Sequence, residues 1–112
     1  IVYPDMPPVE GYGPGFFRIA GEVIQGGLLV LPGVRRVWGG DDDVETVLDL
    51  VGHIDVLLLG TGAEMDYVPA AMRGRFDEAG IGIEPMSSPA ACRSYNMLLS
   101  EGRRIGLAAL AV

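Results

Sequence analysis

Short apolar runs alternate with amphipathic segments in the second half of the chain. One run, residues 56–59, ends in Gly60-Thr61-Gly62, and a second covers residues 81–84. Between them, Pro69 and Gly80 mark the start and the end of a predicted helix. The apolar positions of that helix form one stripe: Val68, Met72, Phe76 and Ala79. A strand, a loop of small residues, a helix and a second strand form one β-α-β unit, so the pattern predicts a parallel sheet.

The first predicted helix precedes this unit and carries the clearest local signals. Asp42 is a good N-cap, Glu45 completes a capping box, and Gly52 ends the helix. Its apolar residues recur at helical spacing: Val44, Val47, Leu48 and Val51. The run Asp41-Asp42-Asp43 has the composition of a metal-binding cluster, but consecutive side chains diverge in direction, so we interpret it as the helix cap.

A third helix and a last strand complete the predicted elements. Ser87 or Ser88 is the N-cap of this helix, Pro89 fits its first turn, and Gly102 ends it. The last strand covers residues 104–111. Because the connection between helix and strand is so short, we expect this strand to run antiparallel to the neighbours that it follows, which makes the sheet mixed.

The N-terminal half is predicted to be mostly antiparallel β-structure. Residues 1–15 hold four of the eight prolines and three glycines, which predicts an irregular lead-in, and residues 16–112 form the single domain. Short β-rich pieces separated by Gly or Pro then indicate hairpins or a meander: residues 16–20, 22–24, 26–31 and 33–37. We interpret Trp38 as a buried anchor of the meander rather than as an exposed binding aromatic.

Composition and charge exclude several classes of function. A chain of 112 residues is long enough for one domain with its own core. The net charge is −7, the wrong sign for nucleic-acid binding. All eight basic residues are Arg, so no Lys is present to form a Schiff base or to bind phosphate in a P-loop.

The apolar runs of the chain are far shorter than the roughly 20 residues that a membrane helix needs. We therefore expect a soluble, cytoplasmic protein without stable membrane insertion. Because the sequence begins at Ile1 rather than at Met, removal of an N-terminal segment stays open.

Cysteine and histidine are too scarce for the usual metal or nucleophile sites. With one Cys and one His, the chain can form neither an intramolecular disulfide nor a structural zinc site. Cys92 lies in an apolar helical stripe and is interpreted as a core residue, and His53 as a surface residue. We expect no metal and no cofactor.

Several segments, taken in order along the chain, resemble a known family. They are LGTG at 59–62, GIEPM at 82–86, ACRSYNML at 91–98 and EGRR at 101–104, and the likeness extends upstream through residues 15–20, 26–32 and Trp38. Their order and spacing are similar to those of the Mth-like domain family, which comprises small archaeal, bacterial and eukaryotic proteins of unknown chemistry.

The resemblance implies an α/β fold class: a three-layer single domain with a central mixed, mostly parallel sheet flanked by helices, and an additional N-terminal antiparallel β layer. It also implies no established catalytic activity. The family includes a mitochondrial assembly factor for respiratory complex I, so the resemblance implies protein assembly as the eukaryotic role.

Polar residues at the carboxyl ends of the strands form the candidate site, because such ends meet at one rim of a sheet. They are Gly60, Thr61, Gly62, Glu84, Arg93, Tyr95 and Asn96. In a structural interpretation, Tyr95 and Asn96 bond to loop backbone while Arg93 pairs with Glu84. In a functional one, Arg93 and the helix N-terminus hold a small anion or a carboxylate of a partner. The Gly60-Thr61-Gly62 turn is a weak nucleotide signal, and compact turns use the same residues.

Two functional hypotheses from different classes follow. The first is a non-enzymatic accessory protein that binds a protein partner of unknown identity during assembly, through an apolar or edge-strand surface of the N-terminal β layer, with self-association as a further form of binding. The second is a small-molecule or anion-binding protein, or an enzyme of unknown reaction, that uses the rim around Glu84 and Arg93.

Overall fold

The computed structural model describes residues 6–40, 44–50 and 54–112. Eleven helices and strands follow one another within these residues. In chain order they are β1 Val9–Gly13, β2 Phe16–Ile19, β3 Glu22–Gln25, β4 Gly27–Leu31, β5 Val34–Trp38, α1 Val44–Leu50, β6 Val56–Gly60, α2 Ala70–Glu78, β7 Gly82–Met86, α3 Ser88–Ser100 and β8 Ile105–Ala109.

The strands form two sheets. The first is antiparallel, with the order β1-β2-β3, and the second has five strands in the order β5-β4-β8-β6-β7. In the larger sheet β4 runs antiparallel to both β5 and β8, whereas β8, β6 and β7 are parallel to one another. All its strands except β4 therefore point the same way. The predicted mixed, mostly parallel sheet is confirmed.

The predicted direction of the last strand is wrong. β8 runs parallel to β6, with Leu58 opposite Leu107, and is antiparallel only to β4. The short turn after α3 does not set the strand direction, because α3 itself is the crossover between β7 and β8. The helix carries the chain back along the sheet, so β8 runs in the same direction as β7.

The antiparallel pairs predicted from residue 16 onward are present, but they belong to two sheets. β2 pairs with β3 in the small sheet, and β4 pairs with β5 in the large one. The irregular lead-in predicted for residues 1–15 is wrong for Val9–Gly13, which form β1 and pair with β2. Proline and glycine mark the borders of β1 rather than an irregular segment, because Pro7 and Pro8 precede the strand and Pro14-Gly15 makes the turn that follows. The pairing register of β1 shifts between Val9 and Gly11, which indicates a β-bulge.

The five-stranded sheet is covered on both faces. On one face α1 and α2 enclose a core that includes Val47, Leu57 and Phe76. On the other face α3 and the three-stranded sheet enclose a second core that includes Phe17 and Tyr95. This arrangement confirms the predicted three-layer α/β fold with an added antiparallel layer.

The helices match the sequence pattern with one exception. Val44 and Val47 of α1 are buried, and so are Met72 and Phe76 of α2, but Ala79 lies exposed beyond the end of α2. The predictions for the start and the end of the first helix, and for His53, lie outside the described residues: Asp41, Asp42, Asp43, Val51, Gly52 and His53. Among the described helices, none combines the length and the apolar character that crossing a membrane requires.

Candidate functional site

The candidate site residues lie in three separate places rather than on one rim. Gly60-Thr61-Gly62 follows β6, Glu84 lies within β7, and Tyr95 and Asn96 face β1 and the residues before it. β7 continues beyond Glu84 to Met86, so this carboxylate lies two residues before the end of its strand and away from the turn.

Thr61 holds the loop that follows β6. Its Oγ1 lies 2.7 Å from the carbonyl oxygen of Glu64 and 3.1 Å from that of Met86, and it accepts the N–H of Asp66 at 2.9 Å. The N–H of Thr61 also donates to the Met86 carbonyl at 2.9 Å. Through these hydrogen bonds Thr61 links the end of β6 to the end of β7, so the turn has a structural role.

Ser88 is a buried polar residue whose role the sequence did not reveal. Its Oγ donates to the carbonyl oxygen of Leu110 at 2.6 Å and accepts the N–H of Gly62 at 2.9 Å. Gly60 leaves the necessary space, because a Cβ there would lie 2.7 Å from the Ser88 Oγ. The helix cap is Ser87, whose side chain accepts the N–H of Ala90 at 3.4 Å. The sequence offers one sign of the role of Ser88, which is that a second serine directly follows the capping serine.

Tyr95 and Asn96 attach the N-terminal layer to α3. The Tyr95 hydroxyl donates to the carbonyl oxygen of Pro7 at 2.8 Å. The Asn96 side chain accepts the N–H of Val9 at 2.8 Å and donates to its carbonyl oxygen at 2.9 Å. Both side chains therefore bond to backbone, as the structural interpretation predicted, but the partner of Asn96 lies in β1 rather than in a loop.

Burial dominates the acid–base properties of α3. It raises the pKa of the Tyr95 hydroxyl above its ordinary value of 10.0. It also raises the pKa of the Cys92 thiol from 9.0 to about 11, against a smaller lowering by the charge of Arg93. Cys92 is 4% exposed, which confirms that it is a core residue. A thiol held in its protonated form is a poor nucleophile.

Glu84 and Arg93 do not meet. Both are exposed, and the described residues contain no ion pair between them. The predicted pairing is wrong because α3 turns Ser94 and Met97 toward β7, where they line a shallow depression of about 240 Å³ together with Glu84 and Arg103. Arg93 is not among its lining residues and projects elsewhere on the helix.

A larger cavity of about 530 Å³ lies where the carboxyl ends of β5, β6 and β8 meet. We call it the carboxyl-end cavity. It is lined by Trp38, Gly39, Gly40, Leu59, Gly60, Thr61, Asp66, Tyr67, Val68, Pro69, Met72 and Leu110. Gly60 and Thr61 were predicted site residues, whereas Asp66, Tyr67 and Leu110 were not singled out. An open α/β sheet typically binds ligands at this edge.

The one tryptophan of the chain lines this cavity and carries a buried, unsatisfied donor. Trp38 is 3% exposed, which confirms the predicted burial, but within the described residues its indole Nε1–H has no hydrogen-bond partner. Leaving a buried donor unpaired costs about 1–3 kcal/mol. The described residues include no group of three or more His, Cys, Asp or Glu side chains placed to hold a metal ion.

Sequence relatives of the chain include bacterial and vertebrate proteins. An uncharacterised protein of Rhodobacter capsulatus is 48% identical over 103 residues, which cover 92% of this chain and 83% of that protein. The zebrafish (Danio rerio) NADH dehydrogenase [ubiquinone] 1 alpha subcomplex assembly factor 3 is 34% identical over 109 residues, which cover 91% of this chain. The alignment spans 62% of the zebrafish protein, so that protein is considerably longer than the part it shares.

Solved structures share the fold. A crystal structure of a protein from Bartonella henselae, described as an outer membrane protein, superposes with a TM-score of 0.88 and is 32% identical over 99% of both chains. A Bordetella pertussis protein described as a Mth938-like domain superposes with a TM-score of 0.81 at 21% identity, over 99% of this chain and 89% of that chain. The resemblance to the Mth-like domain family is therefore confirmed. A model of a family of proteins of unknown function (DUF498/DUF598) matches residues 9–110, and the chain belongs to this family.

Proposed function

We propose that the chain is a non-enzymatic accessory protein that binds another protein during the assembly of a larger complex. The observation that carries this proposal is the similarity to an NADH dehydrogenase assembly factor over 91% of the chain. Because the alignment spans 62% of that protein, the proposal takes over the class of role and not the particular partner. A cytoplasmic location and self-association stay predictions.

Two edge strands offer a surface for such a partner. Among the described strands, β3 is an outer strand of the small sheet and β5 an outer strand of the large one, and the two strands contact each other. An outer strand presents backbone N–H and C=O groups that an added strand can pair with. Both strands also expose an apolar side chain, since Val23 is 47% exposed and Val37 is 51% exposed.

Charge favours β5 over β3 as the docking strand. β5 carries Arg35 and Arg36, both exposed, beside Val37, whereas β3 begins with the exposed Glu22. The chain as a whole has a net charge of −7, so two adjacent cations on an edge strand are a local exception. We infer that the partner adds an extended, acidic segment along β5, held by backbone pairing and by contact with Val37.

A matched pair of variants tests this surface. Val37→Glu removes the apolar contact and places on β5 a negative charge that repels an acidic segment. Met97→Glu makes the same kind of change on α3, beside β7 at the other end of the sheet, where Met97 is 56% exposed. Each tagged chain is purified from its native host, and the co-eluting proteins are identified and quantified.

Wild type and Met97→Glu are expected to retain the same subunits of a multiprotein complex, and Val37→Glu to lose them by about tenfold or more. Circular dichroism checks that all three proteins are folded. Recovery of the bait alone would contradict the assembly role, and equal recovery by both variants would contradict the assignment to β5.

The alternative function, a small-molecule or anion site at the rim around Glu84 and Arg93, also stays a prediction. A thermal-shift comparison of wild type and Arg93→Ala against phosphate and ATP tests it. If phosphate or ATP stabilises the wild type but not Arg93→Ala, the result favours the alternative. Equal thermal shifts of the two proteins would contradict it.

A further inference from the structure

We propose that the carboxyl-end cavity is a second docking surface, which takes an extended protein segment that carries an arginine flanked by apolar residues. The proposal deepens the assembly role, on which it rests for the kind of occupant. It assigns to the partner a segment that β5 does not bind, because β5 carries exposed arginines and favours an acidic segment. Binding of short peptides tests the cavity without a native partner, so the two proposals can fail separately.

Three exposed apolar side chains lie at the cavity or in the loop that borders it. Tyr67 is 79% exposed and Leu110 is 40% exposed, and they line the cavity from different segments of the chain. Met65, in the same loop as Tyr67, is 61% exposed. Exposed apolar side chains that gather beside a cavity are typical of a protein-docking site. An occupant that covers them has apolar groups on more than one side, as a peptide segment does.

The charge at the cavity is negative and is not paired within the described residues. Asp66 is the one charged residue among the described residues that line the cavity, and Glu64 lies in the same loop; both are exposed. The start of α2 adds roughly half a positive charge, which is less than the full charge of either carboxylate. The ion pairs of the described residues involve other carboxylates, which are Glu45, Glu78 and Asp55. A segment that complements this surface therefore carries a cation.

Arginine matches the cavity better than lysine does. The Asp66 carboxylate accepts the N–H of Tyr67 at 2.7 Å through one oxygen, which leaves its other oxygen for a guanidinium. The Tyr67 ring makes no contact with another aromatic ring among the described residues, so its face is open for stacking. A planar guanidinium stacks on an aromatic face and donates to a carboxylate, whereas an ammonium is a strongly hydrated point charge. A wall with both polar and apolar groups also suits the arginine side chain, whose stem is apolar and whose end is charged.

The loop that carries these two residues is fixed before any partner binds. The N–H of Asp66 donates to the Thr61 hydroxyl at 2.9 Å, and Val68 is buried in the core on the α2 side of the sheet. Tyr67 therefore lies between two anchored neighbours. Because a surface that is ordered in advance loses less entropy on binding, the exposed ring is placed to contact an occupant at low cost.

The test titrates the intact protein with the peptide acetyl-Ala-Leu-Arg-Leu-Ala-amide, and ¹H–¹⁵N spectra follow the backbone cross-peaks of Thr61, Tyr67 and Leu110. Two comparator peptides carry lysine, or citrulline as the neutral isostere of arginine, at the central position. The arginine peptide is expected to shift these cross-peaks with a Kd on the order of 1 mM, because one exposed charge pair and one stacked ring give weak binding. Both comparators should bind at least about threefold more weakly.

Two pairs of variants locate the binding. Asp66→Asn removes the charge but keeps a side-chain oxygen that can accept the Tyr67 N–H, and it should weaken binding of the arginine peptide about three- to tenfold. Asp77→Asn removes the same charge from an exposed position on α2 outside the described lining, and should weaken binding by less than about twofold. Tyr67→Ala should weaken it about two- to fivefold. Tyr12→Ala, which removes a 44% exposed tyrosine from β1, should leave it unchanged.

The absence of shifts with the arginine peptide at about 10 mM would overturn the proposal, and so would equal losses of binding in Asp66→Asn and Asp77→Asn. Equal binding of the lysine peptide would overturn the assignment to arginine, and equal binding of the citrulline peptide the assignment to a cation. If the same cross-peaks shift with protein concentration alone and Asp66→Asn abolishes that shift, a second copy of the chain is the occupant and the partner segment is wrong. None of these readouts depends on co-purified proteins, so a failure of the assembly role is detected separately.

Discussion

The two faces of the five-stranded sheet are built very differently. On one face α3 spans 13 residues, begins at a side-chain cap and buries five residues: Ser88, Ala91, Cys92, Tyr95 and Leu99. On the other face α2 spans nine residues, has no side-chain cap and buries two, Met72 and Phe76. α3 also holds β1 through Asn96, whereas α2 is tied to α1 by the exposed ion pair of Arg75 with Glu45.

This difference separates the parts that hold the fold from the parts that are free to bind. Exposed ion pairs contribute about 0–1 kcal/mol, so this pair adds little to the packing of α1 beside α2. Binding sites tend to occupy the less stable elements of a fold, and the carboxyl-end cavity borders α2 rather than α3. Tyr95 and Asn96 on α3, in contrast, are engaged in structural hydrogen bonds.

The sharpest test of this comparison removes one tyrosine from each face. Tyr95→Ala is expected to lower the free energy of unfolding by about 3–5 kcal/mol, because the side chain is fully buried and donates to Pro7. Tyr67→Ala should change it by less than about 0.5 kcal/mol, because Tyr67 is 79% exposed. Urea denaturation measures both. Comparable losses would mean that the two faces contribute alike.

The attachment of the N-terminal layer to α3 is tested next. Asn96→Ala is expected to cost about 1–3 kcal/mol, because it leaves both backbone groups of Val9 without their partner. Amide exchange at Val9 should accelerate as β1 detaches locally. Ser100→Ala on the exposed side of α3 is the control, with little expected effect. Unchanged exchange at Val9 would show that pairing with β2 alone holds β1.

Much of the architecture could be predicted from the sequence because local signals coincide with the observed elements. The apolar run before Gly60, the helix after Pro69 and the cap at Ser87 each combine periodicity with a start or stop residue. The direction of β8 was not readable in the same way. Strand direction depends on the crossover as a whole, whereas the pattern reveals only the turn next to the strand.

The site residues were harder to predict because their partners are distant in sequence. Asn96 bonds to Val9, and Ser88 bonds to Gly62 and Leu110, so no local pattern contains these pairs. The carboxyl-end cavity is likewise assembled from four separate segments. Chemistry alone suggested an Arg93–Glu84 pair, but helix orientation placed Ser94 and Met97 against β7 instead.

Burial on the α3 face also predicts a dependence of stability on alkaline pH. In the folded protein the pKa of Cys92 is raised to about 11, compared with 9.0 when the thiol is freely solvated. Between these values the unfolded chain binds fewer protons than the folded one, so stability is intact below pH 9 and falls as the pH rises toward 11.

From pH 8 to pH 10 the thiol should account for a loss of about 1 kcal/mol. Cys92→Ala removes this contribution, and urea denaturation at both pH values measures the difference in slope from wild type. The burial of Tyr95 acts in the same direction and is present in both proteins. Identical slopes for the two proteins would contradict a raised thiol pKa.

The smallest predicted effect concerns the weakness of α2 itself. Gly74 lies inside this helix, and a Cβ there would meet nothing within 4 Å. Gly74→Ala should therefore raise the free energy of unfolding by about 0.5–1 kcal/mol, because alanine loses less conformational entropy in a helix. Gly80→Ala is the matched control: its Cβ also meets nothing within 4 Å, but its φ of +78° should make alanine cost about 1 kcal/mol. Thermal and urea unfolding of both variants measure the signs. If the two substitutions destabilise alike, helix propensity does not limit α2, and the contrast between the two faces reflects side-chain burial alone.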